Sequence, residues 1–297
     1  MLKNYTIFVA FFVLLLTHKA YSRISDFETT RLKASGGAGV GAVLMEEATL
    51  LNPAPMAFFN GISTFYFQKV GSDSQPNSSS DPTATNRKSE DLAAIASDAK
   101  ARSAASASYV KHTEDGVERK QIAGGFAYRA GPVSSFGVSY KMTEDQFLTD
   151  ATTKKTKQVT FGASHILSDA LSIGFVVVDP FQEIPRDTKG IMGIQYTYKN
   201  FISLFGDVGS NYNNELSTSL LYRGGIQFGL FGALFLRVGA YRDRSIREKG
   251  NGIGLSWIQP KLMLDFAIKN YEQVAFAEIG NSDRKAKESS ISLSFRF

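Results

Sequence analysis

The side chains with the most obvious chemistry in this sequence are its three histidines. His18 falls in an apolar N-terminal leader, which leaves His112 and His165. Neither has a second histidine at metal-ligand spacing. Ser164 precedes His165, but adjacent residues of a strand point to opposite faces, so this pair cannot act as nucleophile and base. Both histidines end strand-like segments, where an interfacial role is expected, with no serine or acid expected beside either. Glu144-Asp145 and the group Asp179, Glu183 and Asp187 carry enough charge to bind calcium or to bridge lipopolysaccharide through divalent ions. They lack the regular spacing of a calcium loop and read as solvated loop charge. No catalytic residue, metal or cofactor is expected, and the chain is not read as an enzyme.

The run Ser35-Gly36-Gly37-Ala38-Gly39-Val40-Gly41 raises the question of a phosphate cradle, because backbone N–H groups at a helix start bind anions. Its spacing fits neither G-x-G-x-x-G nor the P-loop, and no strand pattern precedes it. A different use suits the whole stretch from Arg31 to Asn60, which does not alternate. Glycines let the backbone lie close to a wall, a short helix follows around Glu46-Glu47, and Asn52-Pro53-Ala54 stops it, since a residue before proline leaves helical space. Such a piece can plug the mouth of a barrel; a simple periplasmic tail is the alternative.

The elements around these residues follow from composition and periodicity. Lys3, an apolar run from Tyr5 to Leu16 and the exit Ala20-Tyr21-Ser22 read as a cleaved secretory signal peptide over residues 1–22. The run of about 12 residues is short of the roughly 20 that a membrane helix needs. Its removal takes two lysines and no acid, lowering the formal net charge from +5 to +3. That mild charge gives no reason to propose nucleic acid. Cysteine is absent, which excludes disulfides, thiolate metal sites and a lipid-bearing cysteine. The remaining hydrophobic residues come in short alternating segments, and only helices and closed barrels satisfy the backbone in lipid.

From Phe126 onward the alternation is persistent: Phe136, Val138, Tyr140 and Met142 are separated by Ser, Gly and Lys, and similar segments recur through Leu216–Phe228 to Ile268. Short connections (130–133, 167–170, 199–200, 229–232, 259–260) alternate with longer polar ones (143–155, 179–188, 209–214, 243–250, 271–288), as in a barrel with tight turns on one side and loops on the other. Thirteen segments are plain. Both termini on one side require an even number, which makes Asp91 to Ser97 a weak fourteenth strand after a loop at 71–90. Twelve strands is the alternative. Arg129, Lys141, Arg223, Arg237, Asp265, Lys269 and Arg296 then face the lumen. Tyr128, Tyr140, Tyr196, Tyr198, Tyr222, Tyr241, Trp257 and Phe266 suit aromatic girdles. In the last strand, Ile291, Leu293, Phe295 and Phe297 share one face.

That terminal strand resembles the signal by which outer-membrane barrels are recognised for assembly. Together with Gly36, Gly37, Gly39 and Gly41, with Glu46-Glu47-Ala48 and with Asn52-Pro53-Ala54, it makes the layout similar to the FadL-type outer-membrane family. That family includes long-chain fatty-acid transporters and the PorV-like proteins of secretion systems. The resemblance implies an all-β transmembrane antiparallel barrel of about 14 strands over residues 61–297, with an N-terminal hatch over 23–60. It also implies the outer membrane of a Gram-negative bacterium, porin-like transport, and as partners outer-membrane lipid, the barrel assembly machinery and a hydrophobic small-molecule ligand. Fatty-acid transporters are longer and capture ligand with apolar external helices, whereas the loops here are polar. The functional expectation is passive transport of small hydrophobic solutes through a plugged lumen; the alternative is a docking or shuttle barrel for exported proteins.

Overall fold

The computed structural model describes residues 27–76, 86–114, 116–148, 152–183, 187–199, 201–274 and 283–297. The leader at 1–22 lies outside them. Fourteen antiparallel strands close into one barrel in simple up-and-down order. They are β1 Ile62–Pro76, β2 Arg87–Lys100, β3 Ser103–Glu114, β4 Val117–Arg129, β5 Ser134–Phe147, β6 Thr152–Ser168 and β7 Leu171–Val178. The second half comprises β8 Lys189–Tyr198, β9 Ile202–Ser210, β10 Leu220–Leu230, β11 Leu234–Asp243, β12 Glu248–Ile258, β13 Leu262–Gln273 and β14 Arg284–Arg296. Closure is made by β1 on β14, with Phe65 opposite Phe295. Asp91 to Ser97 lies inside β2 and pairs with both neighbours, so the even count holds.

The polarity of the wall is inside out. Phe136 is 58% exposed on the outside while Arg237 is 2% exposed within. Phe126, Phe161, Met192, Ile253 and Ile291 continue the exposed apolar band, and Ser294, Ser256, Gln121 and Asp265 continue the buried polar face. An uninterrupted apolar exterior of this extent cannot stand in water. It suits lipid, where closed pairing leaves no strand edge unsatisfied. In a sandwich these faces would be exchanged.

The short connections define one end of the barrel, here the turn end, and the longer ones the loop end. Several strands outrun the apolar alternation at the loop end. The polar stretch expected as a loop at 71–90 contributes residues 71–76 to β1 and 87–90 to β2, and residues 143–147 and 152–155 extend β5 and β6. The ladder continues there because cross-strand charge replaces apolar packing: Lys155 pairs with Glu144 at 3.1 Å, and Arg119 grips Asp145 at 2.5 and 2.8 Å. Leu216–Ser219, expected as strand, forms a helical turn, α2, instead, with Glu215 carbonyl accepting from the Thr218 and Ser219 amides.

Residues 29–57 lie within the barrel and are largely buried. The helix expected around Glu46-Glu47 is absent. One α-helical turn, α1, runs Thr30–Ala34 before the glycines, capped by Thr29 Oγ1 accepting from the Leu32 amide at 3.3 Å, and a 3₁₀ turn, Ala54–Phe58, follows Pro53. Between them residues 45–51 form irregular turns. Arg31 explains the difference: Nη2 donates to Glu46 at 2.9 Å and Nε to Glu47 at 3.1 Å. Neighbouring side chains of an α-helix diverge by about 100°, and the irregular turn brings both onto one guanidinium.

Candidate functional site

The lumen and the chain that crosses it form the candidate site. Gly36 and Gly37 take φ of +64° and +75°, a left-handed bend that side chains resist. It turns the chain against the wall so closely that an added Cβ at Gly36 would lie 2.6 Å from the Ala240 amide nitrogen, and one at Gly41 2.5 Å from the Gly193 carbonyl. The wall answers with glycines of its own. Gly137 pairs with Gly162, Gly174 with Gly193, Gly225 with Gly239, and Gly239 with Gly252. A Cβ at Gly252 would meet the Lys33 carbonyl oxygen at 1.9 Å, and one at Gly174 the Val40 carbonyl oxygen at 2.0 Å.

Hydrogen bonds fix the height of the segment. Asp207 of β9 accepts from the Gly39 amide at 2.9 Å and the Val40 amide at 3.2 Å. Arg223 donates to the Gly37 carbonyl at 3.1 Å, and Ser172 Oγ to the Gly41 carbonyl at 2.7 Å. Asn52 Oδ1 accepts from the Ala54 amide at 3.1 Å, while its Nδ2 donates to the carbonyls of Val40 at 2.9 Å and Ala163 at 3.3 Å. Pro53 and Ala54 pack over Gly137.

The wall next to the glycine side, on β13 and β14, is ionic. Lys269 Nζ lies 2.8 Å from Glu28, Lys33 is paired with Glu288, and Arg296 Nη2 lies 3.2 Å from Glu46. Burial alone would raise the Glu28 carboxyl, but Lys269, Lys33 and Arg223 around it more than offset that and hold it at about 2, below its ordinary 4.5. Burial also acts first on the adjacent acids. Arg31 and Arg296 keep Glu46 low, whereas burial pushes Glu47 up, and its Oε2 is unpartnered in the structure.

Of the charges assigned to the lumen, Arg223, Lys269 and Arg296 therefore touch the segment, while Arg237 and Asp265 pair with each other at 3.3 Å. Lys141 lines a cavity beside the segment, and Arg129 lies on the inward face at the turn end. Tyr241 departs from the girdle expected for it. It faces inward, its hydroxyl on Glu248. Asp207, Arg31, Lys33 and the wall glycines escaped sequence reasoning, although inward glycines recur once per strand over most of β5 to β12.

The histidines also hold a correction. Ser134 Oγ lies 2.7 Å from His165 Nδ1, and His112 Nδ1 contacts Asp91, so both have the partners that adjacency along the chain did not show. Cross-strand pairing supplies them: Ser134 is opposite His165 and Asp91 opposite His112. The two pairs sit at opposite ends of the barrel and do not combine. Among the described residues no cluster of acids and histidines could hold a metal ion.

No protein-family profile matches the sequence, and no curated protein sequence does. Solved structures do match. The Pseudomonas putida toluene transporter TodX superposes with a TM-score of 0.68 at 10% identity, over 92% of this chain and 98% of that one. This chain has the FadL-type barrel fold. The CymD monoaromatic hydrocarbon channel gives 0.66 at 11% identity over 90% and 96% of the two chains, and a Pseudomonas aeruginosa FadL homologue 0.65 at 12% over 93% and 99%.

Proposed function

We propose that this FadL-type barrel sits in the outer membrane of a Gram-negative bacterium and lets small hydrophobic solutes cross passively, with residues 23–60 as a plug. The observation that carries the reading is a pair of cavities on either side of α1. One, of about 110 Å³, lies between the segment and β4 to β8 and β10, with Phe27, Leu50, Leu51 and Ile191 among its lining. The other, of about 190 Å³, lies nearer the turn end, with Leu44, Phe205, Phe235 and Ile258. Leu32 lines both. An apolar cavity of about 150 Å³ holds benzene; the second cavity exceeds that volume and the first falls short of it, both mix apolar with charged lining (Lys141, Lys189 and Arg223 in the first, Arg31 and Arg237 in the second), and α1 is the partition between them. The neighbouring structures described as toluene and monoaromatic hydrocarbon channels support this solute class.

On the same reading residues 1–22 are the export signal, and the outward-facing Ile291, Leu293, Phe295 and Phe297 are what the assembly machinery recognises. On this reading the chain acts as a channel, as the neighbouring structures described as channels and transporters do. Toluene uptake into liposomes whose outer leaflet is lipopolysaccharide, which slows unassisted entry of apolar solutes, tests the transport reading. The full-length barrel should accelerate uptake over empty liposomes without admitting sugars, and removal of residues 23–60 should admit both. No acceleration with or without the segment would overturn it.

A further inference from the structure

The outer surface of the wall is apolar along its middle but changes character at the loop end of β10 to β14. Tyr222, Arg242, Lys249, Glu272 and Lys285 are successive cross-strand partners there. Lys287 lies one outward position nearer the apolar band, opposite Asn270 on one side and Asp73 on the other. Arg242, Lys249, Lys285 and Lys287 are all exposed.

The protein's own pairing does not account for this arrangement. Arg242 and Lys249 face each other directly, and like charges opposite one another destabilise a sheet. Glu272 serves Lys249 at 2.9 Å and Lys285 at 3.2 Å. Among the described residues that leaves Arg242 and Lys287 without a carboxylate in contact. The cations border an open depression of about 840 Å³ that also takes in Asp73 and Glu272 and reaches through to the inward Tyr241 and Tyr271. Directly below it stand Val238, Ile253, Phe266 and Ile291, all exposed.

We propose that this depression binds phosphate-bearing lipid headgroups of net negative charge in the leaflet at the loop end, with the acyl chains running down the apolar residues beneath. A free anion would satisfy the cations and leave the adjoining apolar wall without a role. A lipid with an anionic head engages both at once, and guanidinium and ammonium groups at a membrane surface favour such heads. The proposal rests on the membrane placement of the barrel and is independent of what crosses the lumen.

The test compares the full-length protein with the Arg242→Gln/Lys249→Gln/Lys287→Gln variant in phosphatidylcholine nanodiscs containing a small share of phosphatidic acid. Lipid retained after detergent extraction is measured by mass spectrometry. Folding and insertion are read separately from heat-modifiable gel mobility, so failure of the membrane reading shows there and not in lipid preference. Phosphatidic acid should be enriched about tenfold over its share on the wild type, close to background on the glutamine variant, and enriched again on Arg242→Lys/Lys249→Arg/Lys287→Arg, which keeps the charge. If the triple variant does not fold, Lys287→Gln alone should show a partial loss. Equal enrichment on wild type and glutamine variants overturns the proposal. Displacement of the lipid by equimolar inorganic phosphate also overturns it, making the site one for free anions.

Discussion

The buried N-terminal segment meets two sides of the barrel, and they hold it by different physics. Along β5 to β12 the close contact is of backbone on backbone, made possible by inward glycines facing Lys33, Ser35, Val40, Gly41 and Pro53, with hydrogen bonds at Ser172, Asp207 and Arg223 fixing it. Along β13 and β14 it is made by long charged side chains: Lys269 to Glu28, Lys33 to Glu288, Arg296 to Glu46. Glycine contacts demand one position, because any displacement loses them and any added atom forbids them. Ion pairs on flexible stems tolerate small shifts, but removing one partner strands a buried charge. The first side sets where the segment lies and the second sets how firmly it is attached.

The largest effect should come from stranding a charge. Lys33 and Glu288 are 5% and 9% exposed, so Glu288→Leu should cost about 3–5 kcal/mol, the range for breaking a buried pair from one side. Tryptic cleavage after Lys33, blocked in the wild type by burial, should become fast. Preserved protection would place the attachment elsewhere. On the glycine side, Gly252→Ala sets a methyl 1.9 Å from the Lys33 carbonyl oxygen. Overpacking of this kind costs about 1–3 kcal/mol, and thermal melting should fall accordingly. Gly124→Ala, whose Cβ meets nothing nearer than 3.8 Å, should melt as the wild type does.

Asp207 is a polar anchor on the glycine side. Asp207→Asn keeps one acceptor and loses the charge-assisted bonds to Gly39 and Val40, a loss of about 1–2 kcal/mol, visible as faster amide exchange at those residues. The last effect is confined to acid. Because Glu28 is held at about 2 against an ordinary 4.5, its contribution is complete above about pH 4.5 and is lost as the pH falls towards 2. Bilayer currents should stay quiet from pH 7 to 4.5 and become noisier below. In Glu28→Gln they should show no such step; an unchanged step there would assign it to another group.

The barrel was legible in the sequence because lipid imposes period-two alternation on every strand, and parity then located the weak strand at Asp91 to Ser97. Strand ends were less legible. Above the apolar band the ladder runs on through Glu144, Asp145 and Lys155, and nothing in hydrophobic periodicity marks where it stops. The close approach of the N-terminal glycines was readable from Gly36 to Gly41, but its other half was not. Gly174 or Gly252 alone reads as a small inward residue, and only register reveals the row. The helix was misplaced because Arg31, fifteen residues before Glu46, draws two adjacent acids to one side. The partner of His165 was hidden for a similar reason: Ser134 is adjacent only across the sheet.

A crosslink tests most directly whether the segment must move for solute to pass. The chain contains no cysteine, so Thr49→Cys/Gly125→Cys would form a single bond between segment and wall. An added Cβ at Gly125 lies 3.5 Å from Thr49 Cγ2 and meets nothing nearer than the Ser106 hydroxyl at 3.1 Å, which leaves room for a disulfide. Toluene uptake should fall to the rate of protein-free vesicles when this variant is oxidised and rise again when it is reduced. Uptake unaffected by a crosslink verified on the same sample would contradict the account.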